Sequence, residues 1–176
     1  MNLFDTLPRA AESDREHLFA VADFFLALND MSRDGTIFAL LRYCDNKDEW
    51  KNASDGAPSL PQITPPEIDV FYPLLRLVLD GVESEIVRDV ARYLLASSDE
   101  AGGTRLSLML GAEAICAIQI GELNSILCAR MSAMMGRPLG TEYYERMYNV
   151  FASRERKYQL GSAIEEEDAL RDKDEK

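Results

Sequence analysis

One stretch of this chain, TPPEIDVFYPLLRLVLDGVESEIVRDVARYLLASS over Thr64 to Ser98, carries enough local signals to dictate a succession of helices. Thr64 can cap a helix whose first residue is Pro65, a position where the missing N–H costs nothing, and Glu67 completes a capping box. Pro73 removes a backbone donor and clashes with the turn before it, so it is expected to end this helix and open a second. Leu74, Leu75, Leu77, Val78 and Leu79 make that second helix apolar on most sides until Gly81 stops it. A third helix is predicted from Glu83 or Ser84. It turns Ile86, Val87, Val90, Tyr93, Leu94 and Leu95 inward and leaves Glu85, Arg88, Asp89 and Arg92 outside.

A short helix, a proline-started helix, a glycine break and a longer amphipathic helix resemble one armadillo or HEAT-type repeat. The residues that carry the resemblance are Tyr72-Pro73 with Leu74, Leu75 and Leu77, then Gly81, then the Glu-rich start and Val90-Ala91 and Leu94 of the third helix. What it implies is a helical array that binds protein partners, with the outward face of the third helix, Glu85, Arg88, Asp89 and Arg92, as the partner-binding surface. No second copy is visible at a fixed period, whereas solenoids stack about three units. Three consecutive helices of an ordinary bundle are the alternative reading, and the same charges are then simply a solvated face.

No segment alternates as a strand would, so the expected fold class is all-α: a compact bundle or short helical array of about six or seven helices. With 176 residues and 47% hydrophobic content, one domain over residues 1–161 is expected, followed by an acidic tail over 162–176. The net charge of −12 disfavours nucleic acid as a partner, because phosphate neutralisation needs clustered Lys and Arg. Cys44, Cys116 and Cys128 are too few and too irregular for a disulfide framework or a zinc site. The N-terminal residues lack a basic start followed by an apolar run. A cytoplasmic protein is therefore expected.

The first helix is predicted over Asp14 to Asn29, capped by Ser13, with Leu18, Phe19, Val21, Ala22, Phe25 and Leu28 inward. A shorter one follows from about Thr36 to Cys44. Residues 45–63 have no period and hold the only tryptophan, Trp50, which is expected to pin this loop to the body. The last helix is predicted from Thr141 to Leu160, with Tyr144, Met147, Tyr148, Phe151 and Tyr158 on one side and Gly161 as its stop. Arg154, Arg156 and Lys157 near its end suit the helix dipole.

Between Thr104 and Met135 lies an apolar run in which Ser107, Gly111, Ala114, Ile118, Gly121 and Ser125 recur at helical steps. Such a small-residue stripe admits another helix at close range: a core neighbour, or a second copy in a self-assembling subunit. Glu113 and Glu122 argue against a membrane span. They lie about 13 Å apart along a helix, too far to share a substrate, so solvent exposure, or a salt bridge to Arg130 or to a base on another helix, is the expected role. Met131, Met134 and Met135 fit a core or an adaptable partner surface.

Chemistry-bearing motifs are scarce. Asp30, Ser32 and Asp34, with Gly35 and Ile37, are similar to the first eight positions of an EF-hand loop, which implies a calcium-responsive regulator with these residues as metal ligands. The resemblance fails at the twelfth position, where Leu41 replaces the bidentate glutamate. His17 is the only histidine, which excludes HExxH zinc and paired Glu-x-x-His di-iron sites and leaves a surface or capping role. Neither a phosphate-binding glycine loop nor a nucleophile elbow is present. No cofactor and no catalysis are expected. A protein-interaction adaptor or scaffold is the leading expectation.

Overall fold

The computed structural model describes residues 7–35, 37–53 and 56–151. Among them are seven α-helices and no strand: α1 (Arg15–Asp34), α2 (Leu41–Asp45), α3 (Pro65–Leu79), α4 (Ser84–Ser97), α5 (Gly102–Gln119), α6 (Asn124–Met135) and α7 (139–151). The chain is all-α, as its periodicity predicts.

The core is built around α5, which α1, α3, α4 and α6 all touch. Arg105 and Glu113 are the only charged residues between its two ends, so it can be surrounded at little desolvation cost. Gly111 lets α1 and α3 approach α5 closely, since its Cα lies directly beneath the Phe71 and Phe25 rings. Those two rings meet edge to face at 5.1 Å. Trp50 extends the aromatic cluster against Phe24, Tyr43 and Phe71. It is fully buried, and its Nε1–H donates to the Tyr43 carbonyl at 2.8 Å, so the segment after α2 is pinned as expected.

The proline in α3 does not break it. A single helix runs from Pro65 to Leu79 with Pro73 inside, where two helices were expected. An interior proline costs about 3 kcal/mol. Val70, Phe71, Leu74, Leu75 and Val78 are buried on both sides of it, and each buried side chain of this size contributes roughly 1.5–3 kcal/mol. The packing outweighs the lost hydrogen bond, and the segment from Thr64 to Ser98 is a two-helix hairpin.

That hairpin has a structural counterpart. α3 ends in a Schellman motif: Gly81 has φ 73°, its N–H bonds the Val78 carbonyl, and the Val82 N–H bonds that of Leu77. α5 ends the same way 40 residues later. There Gly121 has φ 66°, its N–H bonds the Ile118 carbonyl, and the Glu122 N–H bonds that of Ala117. The next helices start from matching extended residues, Glu83 at φ −57°, ψ 141° and Leu123 at φ −66°, ψ 139°. Burial matches too, in the pairs Leu75 and Ile115, Val78 and Ile118, Val87 and Leu127, Ala91 and Met131, and Leu95 and Met135. The turn geometry and burial pattern of the α3–α4 hairpin thus recur in the α5–α6 hairpin, a likeness that the residue identities do not disclose.

α1 begins one residue later than expected, after a 3-10 turn over Glu12–Asp14 in which Asp14 accepts from the Ala11 N–H. α7 follows the cis peptide Arg137–Pro138 and begins at 139 rather than Thr141. Its inward residues are Leu139, Tyr143, Met147 and Phe151, whereas Tyr144 and Tyr148, expected on the same side as Met147 and Phe151, are exposed. Phe19 of α1 is clasped between Arg15 and Arg146, each 5.1 Å from its ring. Arg154, Arg156, Lys157, Tyr158, the stop at Gly161 and the acidic tail lie outside the described residues.

Candidate functional site

α4 exposes half of its residues. It packs on α3 and α5 through Val87, Ala91 and Leu95, one narrow stripe, with Val90 and Leu94 half-buried beside it. Ile86 and Tyr93, expected inside, are 51% and 68% exposed. They flank the predicted partner residues. Glu85, Arg88 and Asp89 are exposed, and the half-buried Arg92 pairs with Asp89 at 2.9 Å. Arg88 is not merely solvated: it reaches the Cys116 thiol of α5 and lies near Glu122. Burial pushes the Cys116 thiol up from its ordinary value, and Arg88 opposes that shift. At the position of α6 matching Ile86, Ile126 is 47% exposed, with Leu123 and Ile120 also exposed at the turn before it.

Of the roles open to Glu113 and Glu122, the structure shows the salt bridge to Arg130. Arg130 of α6 is ion-paired with the buried Glu113 and holds both oxygens of Glu122 at 3.0 Å. One guanidinium thereby fastens α6 to α5 and to the turn between them.

The small-residue stripe is consumed inside the fold. Ser107, Gly111, Ala114 and Ile118 are buried, Gly121 belongs to the turn, and α5 and α6 are separate helices. The self-assembly surface expected along it is therefore covered by the chain's own α1 and α3. Met131, Met134 and Met135 are likewise core residues.

Asp30, Ser32 and Asp34 lie on the last turns of α1, not in a loop. Successive odd positions of a calcium loop converge only when the backbone coils around the ion; on a helix they point apart by roughly 200°. Ser32 donates instead to the Asn29 carbonyl at 2.9 Å, and Asp30 accepts from Asn124 Nδ2 at 2.6 Å. α1 extends to Asp34 because this junction is tied down. Asn29 donates to Asn124 Oδ1 at 2.6 Å and to the Glu122 carbonyl at 2.8 Å, and Asn124 donates to the Leu26 carbonyl at 3.0 Å. No group of three His, Cys, Asp or Glu side chains among the described residues could hold a metal ion.

A polar cluster that sequence reasoning missed lies where α1, α3 and α5 meet. The Glu67 carboxylate has no exposed surface. Its Oε2 accepts from the Thr64 N–H at 2.7 Å and the Thr64 hydroxyl at 2.9 Å, the predicted capping box. Its Oε1 lies 2.6 Å from His17 Nε2 and accepts from the Ser107 hydroxyl. The spacing Thr64–Glu67 gives half of this arrangement. The other half joins residues 50 and 40 positions away, for which the only hint is polar side chains on otherwise apolar helix faces.

Compared with family models, curated proteins and solved structures, the chain matches none. No helix among the described residues is long and apolar enough to cross a membrane.

Proposed function

We propose that this chain is a non-catalytic protein-interaction module, an adaptor or scaffold, whose docking face is the outward side of α4. The observation that carries this reading is the exposure of Ile86 and Tyr93, 51% and 68%, on a helix covered along one stripe only. Exposed apolar side chains ringed by charges are the composition of interface centres and rims. Glu85, Arg88, Asp89 and Arg92 supply the rim. The matched hairpins support the armadillo or HEAT-type reading, in which stacked two-helix or three-helix units align their last helices into one binding surface. The buried, unbridged cysteines suit a reducing, cytoplasmic setting.

The test is affinity capture with quantitative mass spectrometry, comparing the wild-type chain with Ile86→Ser/Tyr93→Ser and Arg92→Glu. Both variants change exposed or half-exposed groups and should keep the wild-type helical signal and melting temperature. Loss of the same proteins from both captures supports the docking face; identical captures from well-folded variants discard it.

A further inference from the structure

The cluster around Glu67 does more than cap α3. The Thr64 N–H, the Thr64 hydroxyl and the Ser107 hydroxyl donate to its two oxygens, and His17 Nε2 lies 2.6 Å from Oε1. Hydrogen bonds of this kind favour the carboxylate over the acid, so Glu67 is held as a buried anion. An uncompensated buried charge is costly, and the cation that faces Glu67 is His17 in its doubly protonated form. The His17 side chain is 25% exposed, which gives its ring access to solvent protons while Glu67 has none.

We propose that His17 and Glu67 form a proton-operated latch that fastens α1 to α3 and α5, closed when the imidazole carries its second proton and slackened when it loses it. The titratable groups facing His17 are Glu67 from α3 and Asp14 from the turn before α1, and α5 contributes the uncharged Ser107 hydroxyl. Both carboxylates favour the imidazolium. The hydrogen bond to Glu67 raises the His17 pKa against the opposing effect of burial. Burial pushes Glu67 up, and the hydrogen bonds from His17, Ser107 and Thr64 overcome that and hold it below the usual carboxylate range.

The sign follows from those directions. The contribution of His17 is complete below its unfolded pKa of about 6.5 and is lost as pH rises through its higher folded value. That of Glu67 is complete above about 4.3 and is lost as pH falls through its lower folded value. The latch is tightest between the two and loosens as pH rises above about 6.5, a range in which no other histidine titrates because the chain has one.

The experiment is urea unfolding from pH 5.5 to 8.5 of wild type and His17→Gln, with a proton NMR titration of the His17 ring in the folded wild type. Glutamine can still donate to Glu67 but does not titrate. The wild-type unfolding constant is expected to rise by up to about tenfold per pH unit between the unfolded and folded pKa values, a rise that His17→Gln lacks, and the ring should titrate above 6.5. A His17 pKa at or below 6.5, or the same pH slope in both proteins, overturns the latch. Should His17→Gln fail to fold, the wild-type titration decides alone.

Discussion

Replacing Gly111 with alanine sets two effects of known size against each other. In a helix interior, alanine is favoured over glycine by about 1 kcal/mol, so at an open site the change would stabilise. At Gly111 the new methyl would lie 2.8 Å from a Phe25 ring carbon and closer still to the Phe71 ring. Both rings are fully buried and held edge to face by each other, so neither can swing aside. Overpacking of this kind costs roughly 1–3 kcal/mol, and contact with two rings places Gly111→Ala at the upper end. The net expectation is a loss of about 1–2 kcal/mol, read as a lower urea midpoint with an unchanged slope. A second variant isolates the cause: Phe71→Leu makes room, so the double variant should be less destabilised than the sum of the two single changes. An unchanged or raised midpoint for Gly111→Ala, or strict additivity with Phe71→Leu, would refute the account of how α1, α3 and α5 come together.

Gly81→Ala and Gly121→Ala meet nothing within 4 Å and differ from glycine only in tolerance for positive φ. Each should lose about 1 kcal/mol, and near-equal losses in denaturant melts would support the equivalence of the two hairpins. Arg130→Met should cost about 2 kcal/mol, discounted for the partial exposure of the guanidinium, because it strands the buried Glu113 carboxylate. Glu113→Gln added to it should recover part of that loss in the same assay.

What was readable in the chain depended on how local the cause was. The cap at Thr64, the stop at Gly81 and the pinned Trp50 follow from residues within a few turns, whereas the sharing of Arg130 by two glutamates is set by how α5 and α6 pack. Pro73 misled because intrinsic helix preference is a weak term beside the burial of Phe71 and Leu74. The faces of α4 and α7 were assigned too broadly for a different reason. Apolar residues at 86, 87, 90, 93, 94 and 95 cover most of a helix circumference, and which third of it is buried depends on how many neighbours the helix has. α4 packs mainly on α3 and α5, and Ile86 and Tyr93 stay out. The second hairpin stayed hidden because α3 fills its core with Phe71 where α5 has Gly111. The two residues are complementary in packing and unlike in sequence.

The polar ties of α1 join residues far apart along the chain. Arg15 reaches Glu142, His17 reaches Glu67, Asp23 reaches Tyr143 and Arg146, and Asn29 reaches Asn124. The contacts of α3 with α4, α4 with α5 and α5 with α6, by contrast, join consecutive helices, and the Ser107 to Glu67 bond between α5 and α3 spans only 40 residues. The entropy of chain closure is therefore concentrated in the docking of α1. The stretch from α3 to α6 can assemble by shorter-range steps, whereas α1 waits for partners up to 127 residues further along the chain.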